Sequence, residues 1–217
     1  MTATPQSLPT PSPLALNLPA QPDRIETERL VLRRFERDDA PTIAAHLAPR
    51  EMAWNLGRVP HPYTADDALA FLAREEVTDT HAVTLRDGTL IGSCGMSVRS
   101  PGNGADGAPA PVCTTLGYWI GLGHWGHGYA PEAVAAKLFE HFGRGGGTVR
   151  ARAFKDNPRS LAVLRHAGFR LAGEAHDRGL ARGADAPVWL TECAAEDFRD
   201  APWNRQVGLG AEREDAA

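Results

Sequence analysis

Cysteine is scarce. Cys94, Cys113 and Cys193 are the chain's three, at unrelated spacings and without a C-x-x-C pair. An odd, scattered set excludes a disulfide frame and a zinc site, so no metal is expected; it reads as reduced, packed thiols of a cytoplasmic protein. Cys94, in IGSCGM, has a nucleophile's residue type but no assignable base. Also missing is any apolar run near the ~20 residues that a spanning helix needs, so no membrane role is expected. Positive charge is in deficit: 23 Lys and Arg against 27 Asp and Glu leave a net charge of -4 and a pI of 6.1. That balance argues against a broad basic surface for nucleic acid. Basic residues in RLVLRRFER and RARAFK alternate with apolar ones, as they do in half-buried strands. No G-K-[ST] occurs in the glycine-rich stretch, which excludes the phosphate grip of nucleoside triphosphatases.

The first 24 residues carry no positive charge before Arg24 and contain six prolines. They suit neither a signal peptide nor an amphipathic anchor, and read as an extended arm. The last residues, GLGAEREDAA, read as a loose tail. A chain of 217 residues therefore divides into an arm (1–24), one folded domain (25–203) and a tail (204–217).

Within the domain, RLVLRRF (29–35) reads as a strand. A helix follows, which Asp38 or Asp39 can cap and in which Pro41 occupies the first turn. Thr64 and Asp67 form a capping-box pattern before ALAFLAREEV, where Leu69, Leu72 and Val77 share a face. THAVTLR and TLIGSCGMSVR form a hairpin across Asp87-Gly88. SPGNGADGAPAP (100–111) is a loop, and VCTTLGYWI is the next strand. PEAVAAKLFEHF is a helix stopped by Gly143; TVRARAF is a strand, PRSLAVLRHA a helix, and FRLAGEAH and APVWLTECA are strands. The order β-α-α-β-β-β-α-β-α-β-β predicts a mixed α/β sheet, antiparallel at its hairpins and parallel at its later crossovers.

GYWIGLGHWGHGYAPEA (117–133) holds two overlapping glycine patterns. From Gly121, G-L-G-H-W-G matches a dinucleotide fingerprint, which needs its helix to open inside the motif and an acidic residue ~20 positions on. Pro131 instead places the helix start near 129–131, and ~20 residues after Gly121 the chain is still helical. In the second register Gly126, Gly128 and Ala130 lie between the strand and that helix. Small residues there admit a diphosphate to successive backbone N–H groups and the helix dipole.

YWIGLGHWGHGYAPEA, followed by NPRSLAVLRHAGFRLAGE, resembles the GNAT acyltransferases, and most of all the branch with the ribosomal-protein N-terminal acetyltransferases. The likeness covers roughly 25–198 and includes RIETERLVLRRFERDDA and HPYTADDALAFL. It implies a mostly antiparallel sheet of about six or seven strands, about four flanking helices, and a splay between the fourth and fifth strands. The implied cofactor is acetyl-CoA, the implied activity its transfer to a primary amine. Trp125 departs from the family's Q/R-x-x-G-x-G/A at the first position; Gly128 and Ala130 fill the fourth and sixth. By this resemblance the backbones of Trp119, Ile120 and Leu122 would pair with pantetheine amides. Trp125, Gly126, His127, Gly128, Tyr129 and Ala130 would form the diphosphate loop, with His124 beside it. Asn157 would contact the arm or serve as a helix N-cap, and both can hold.

The family's acidic tyrosine is replaced by Leu164, and Ser160 resembles the serine proposed for that role in this branch; its other reading is a helix-start hydroxyl. No carboxylate lies on TVRARAF, so a general base must come from Glu132, Glu174, His176 or Asp177, or from water. Of these, His176 carries the side chain most often used as a general base. Trp54, Asn55, His61 and Tyr63 are candidates for an acceptor pocket, unless Trp54 and Tyr63 simply pack. The acceptor would be a protein N-terminus or a small-molecule amine, and the protein a monomer or homodimer. A non-catalytic acyl-CoA sensor with the same fold, and a nicotinamide enzyme, are the competing readings.

Overall fold

A computed structural model describes residues 22–74, 79–99 and 113–201. The 1–24 arm up to residue 21, Val77, the 100–111 loop and the 204–217 tail lie outside the described residues.

Eight strands form one sheet in the order β1-β2-β3-β4-β5-β6-β8-β7. They are β1 (Arg24–Glu26), β2 (Leu30–Arg33), β3 (Thr80–Leu85), β4 (Leu90–Arg99), β5 (Cys113–Ile120), β6 (Val149–Phe154), β7 (Arg170–Gly179) and β8 (Ala184–Cys193). Neighbours are antiparallel except β5 and β6. The helices are α1 (Ala40–Leu47), α2 (Arg50–Trp54), α3 (Ala65–Leu72), α4 (Tyr129–Gly143), α5 (Pro158–His166) and α6 (Ala195–Arg199), with 3-10 turns at Arg37–Asp39 and Leu122–His124.

Compared with the expected six or seven strands and four helices, β1, α2 and α6 are additional. They have three, five and five residues, too short for a period of 2 or 3.6 to register. The predicted capping box at α3 forms, with the Thr64 hydroxyl accepting from the Asp67 N–H. Neither acidic candidate caps α1 through its side chain. Asp39 instead binds the Arg33 guanidinium through both oxygens, at 2.8 Å each, and accepts from the Glu36 amide.

Alternating strand residues build a core on each face. One face packs Leu30, Leu32, Val83, Leu116 and Ile120 beneath Val134 and Leu138 of α4 and Leu164 of α5. The other packs Ala82 and Leu90 beneath Ile43 and Leu47 of α1, Met52 of α2 and Ala68 of α3. Burying such side chains contributes roughly 1.5–3 kcal/mol each.

β5 and β6 pair only at Thr114↔Val149 and Thr115↔Arg150. Beyond that point β5 runs on for five residues beside β4 while β6 leaves it. This is the expected splay, one strand later in number because β1 precedes it.

Candidate active site

The gap between β5 and β6 exposes one edge of β5. The Gly121 N–H donates to the Ile91 carbonyl at 2.8 Å. Together with the register Gly92↔Ile120 and Ser93↔Trp119, this makes Trp119 a hydrogen-bonded partner of Ser93 on β4. Alternation then turns the amides and carbonyls of Tyr118 and Ile120 toward the gap. Of the backbone groups expected to meet pantetheine, the Ile120 N–H therefore faces the gap, whereas those of Trp119 face β4. The Trp119 side chain packs on the α1–α3 face, 5.9 Å from the His46 ring, and Leu122 joins the same cluster.

The two glycine registers differ in backbone geometry. Gly126 and Gly128 have φ of +79° and +78°, and Gly121 and Gly123 are not among the positive-φ residues. Left-handed backbone there bends the chain so that consecutive N–H groups converge. α4 opens at Tyr129, with Gly128 as its N-cap and no side-chain cap. None of the amides from Gly126 to Ala130 donates to another described group. A Cβ on Gly126 would meet nothing within 4 Å. Open space, unused N–H groups and a helix N-terminus fit the diphosphate of coenzyme A, and the Tyr118 backbone with the Ile120 N–H on the β5 edge fits the amides of its pantetheine arm.

Trp125 braces this loop. Its indole N–H donates to the Ile120 carbonyl at 2.5 Å, and the Arg159 guanidinium lies 5.0 Å from its ring centre. The His127 ring stacks on Tyr129 with centres 5.6 Å apart. His124 lies 5.9 Å from His46; burial and then the His46 charge hold its pKa below the usual imidazole value.

A cation missed in the sequence stands behind the loop. Arg29 Nη1 donates to the His127 carbonyl at 2.8 Å, and its guanidinium sits over the Tyr129 ring at 5.1 Å. Glu132 holds Arg29 from α4, accepting from its Nε at 2.7 Å and its backbone N–H at 3.0 Å, and from the Thr27 hydroxyl at 2.6 Å. This carboxylate is buried and fully engaged, which makes it an anchor rather than a base. Some hundred residues separate the partners, so no local pattern announces the contact.

Across the gap, α5 begins at Pro158 with Asn157 as N-cap, whose Oδ1 accepts from the Ser160 N–H at 3.1 Å. The capping role is thus real, and it leaves the Asn157 NH2 for another partner. Ser160 is half-buried, and its Oγ lies 2.9 Å from the Tyr118 hydroxyl. Leu164, at the family's tyrosine position, is fully buried in the core.

The other candidates lie apart. His176 is exposed on the edge strand β7, opposite Pro187, with the whole of β8 between it and β6. Glu174 pairs with Lys155, and Asp177 with Arg152. Trp54 is fastened to the end of β6: its indole N–H donates to Asp156 at 3.3 Å. Arg182, only 7% exposed, binds both Asp156 oxygens at 2.8 and 2.9 Å and lies 4.6 Å from the Trp54 ring centre. The Arg182 hydrogen bond, followed by opposing burial, keeps the Asp156 pKa lowered. Asn55 ends α2 and donates to the Glu51 carbonyl at 2.9 Å. Tyr63 is a core residue with its pKa raised to about 12, first by burial and then by the Asp67 charge. His61 is exposed. Cys94 is fully buried, and burial raises its pKa to about 12, which excludes a thiolate nucleophile at neutral pH.

The model of the acetyltransferase (GNAT) domain matches residues 29–170. The chain belongs to the GNAT acetyltransferase family. As a family member it is an acyltransferase that takes its acetyl group from acetyl-CoA, which sets aside the nicotinamide and sensor readings. An uncharacterized N-acetyltransferase p20 of Bacillus licheniformis is 25% identical over 188 residues, 81% of this chain and 98% of that one. Two solved structures share the GNAT fold. RimJ of Mycobacterium smegmatis, in complex with CoA-disulfide, has a TM-score of 0.65 at 20% identity over 83% of this chain and 89% of its own. The ribosomal-protein-S5-alanine acetyltransferase of Vibrio fischeri scores 0.61 at 20% identity over 81% and 98%. No helix among the described residues is long and apolar enough to cross a membrane.

Proposed function

We propose that this GNAT acetyltransferase acetylates a primary amine, a protein N-terminus or a small-molecule amine, by direct attack. The observation that carries this reading is the β5–β6 gap running into the positive-φ glycine turn at the start of α4. Acetyl-CoA supplies the acyl group as a thioester, whose sulfur leaves as the amide bond forms.

In this reading the chain's own groups bind and orient. Amides from Gly126 to Ala130 hold the diphosphate, the Tyr118 backbone and the Ile120 N–H on β5 align the pantetheine arm, and the Asn157 NH2 faces that arm. Ser160 donates a hydrogen bond to the departing sulfur, where a weak donor suffices because a thiolate leaves readily. The acceptor enters beside Trp54 and Asn55 at the end of β6. The base candidates other than His176 are engaged in ion pairs, so the amine loses its proton to water; His176 is too far along the sheet to face the gap.

The test is a thiol-release assay with acetyl-CoA against a panel of small amines and peptides, with an N-terminal-alanine peptide as the first protein-like probe. Turnover with amines but not with alcohols is expected. Ser160→Ala should lower kcat by roughly tenfold with KM for acetyl-CoA unchanged, and His176→Ala should leave both constants as they are. An inactive His176→Ala variant that still folds and binds CoA would restore His176 as the base.

A further inference from the structure

One side-chain bridge crosses the β5–β6 gap. The Tyr118 hydroxyl lies 2.9 Å from Ser160 Oγ and 3.1 Å from the Ser160 carbonyl oxygen. It stands three residues beyond Thr115, where the last backbone pairing of the two strands occurs. The ring packs against the α4–α5 core, and burial raises the pKa of its hydroxyl well above the usual phenol value. The phenol therefore stays protonated at neutral pH, with one proton and two acceptors in reach.

Where that proton sits decides where the serine's proton points. If Tyr118 donates to the Ser160 carbonyl, the serine can donate back to the phenol oxygen, and its proton faces away from the gap. That carbonyl lies within α5, where the Leu164 N–H is its regular partner, so it does not need the phenol. If Tyr118 donates to Ser160 Oγ, the serine's proton is released toward the gap. We infer that Tyr118 is a positioning residue that donates to Ser160 Oγ and so turns the serine's O–H onto the sulfur of coenzyme A. This rests on the reading of Ser160 given above. As the carbon–sulfur bond breaks, its electron pair stays on sulfur, where the Ser160 O–H holds it. The proton shed by the amine then reaches sulfur through water, and no covalent bond of Tyr118 or Ser160 breaks. Two other groups surround the pair. Cys94, opposite Tyr118 in the register, is a buried neutral thiol, and the Arg159 cation is drawn over Trp125 instead.

The experiment needs no acceptor. The thiol of CoA bound to the protein is titrated by thiolate absorbance, and affinities for CoA and desulfo-CoA are measured by calorimetry above the thiol's pKa. A hydrogen bond donated to the thiolate favours the charged form, so the bound thiol should titrate about one unit below free CoA. The preference for CoA over desulfo-CoA should be about tenfold. Tyr118→Phe and Ser160→Ala should each abolish both effects, and the double variant should match Ser160→Ala. Desulfo-CoA affinity should be unchanged throughout. Site-specific 3-fluorotyrosine at position 118, a stronger donor in an unaltered shape, should lower the bound thiol's pKa further. If Ser160→Ala moves the titration and Tyr118→Phe does not, the role of Tyr118 is overturned and that of Ser160 stands. If Ser160→Ala leaves the titration unmoved, the Ser160 reading fails and this inference with it. A parallel loss of desulfo-CoA affinity in Tyr118→Phe would reduce the tyrosine to packing.

Discussion

Gly128 combines two constraints at one residue. Its φ of +78° costs a side chain roughly 1–2 kcal/mol, and a Cβ there would come within 3.2 Å of Arg29 Nη2. Gly128→Glu adds bulk and negative charge where a diphosphate is to sit. It should reduce CoA affinity at least about a hundredfold in calorimetry while the circular-dichroism melt remains cooperative. Unchanged affinity would remove the loop from the cofactor site. The need for small residues here was legible because the chemistry lies within a few consecutive positions. Arg29, which closes the loop from behind, was not, since its nearest loop partner is 98 positions away.

At the scale of elements, two ties hold the site's walls. The first joins the β1–β2 turn to α4 through Thr27, Arg29 and Glu132. Arg29→Ala strands a carboxylate that is 5% exposed, although the arginine itself is 41% exposed, so the loss should be moderated by solvent. We expect about 2 kcal/mol in urea unfolding, together with a higher KM for acetyl-CoA. The second tie joins α2, the end of β6 and the β7–β8 hairpin through Trp54, Asp156 and Arg182. Arg182→Ala frees the Trp54 wall, and should raise KM for the amine several-fold with KM for acetyl-CoA unchanged. Equal changes in both constants would mean that the corner supports the fold and not the acceptor. α3 was readable from its Thr64–Asp67 box, and α4 from Pro131 and its apolar stripe. The five-residue α2, which carries Trp54, was not, because one helical turn shows no period.

The whole molecule carries a buried ionisable cluster on β3 and α4, across Cys94 of β4 from Tyr118. Lys137 of α4, with its side chain fully buried, donates to Asp79 at 3.1 Å and to His81 Nδ1 at 3.2 Å. His81 Nε2 lies 3.0 Å from the Pro22 carbonyl and must donate to it, so the imidazole is neutral with its proton on Nε2. Burial, and then the Lys137 charge, lowers its pKa from 6.5 to about 4. Between those values the unfolded chain binds a proton that the native one refuses. Stability is therefore full above about pH 6.5 and falls as pH drops toward about 4, by roughly 3 kcal/mol from this group. Urea unfolding at a series of pH values should show that slope, and His81→Gln should flatten it. A flat wild-type profile would mean that His81 charges freely in the folded protein.

The sequence by itself determined the order of the longer strands and helices, all but β1, α2 and α6, and the glycine turn that opens α4. Each depends on periods of 2 or 3.6 or on glycine and proline chemistry within about a dozen residues. Tertiary structure decided what depends on register and long-range pairing. β4 claims the backbone of Trp119 and leaves that of Tyr118 to the gap; Glu132 becomes an anchor, and Tyr63 a core residue. β8 separates His176 from the gap, and Tyr118 meets Ser160 across it. A strand's sequence states which residues alternate, but only its neighbours decide which edge is left open.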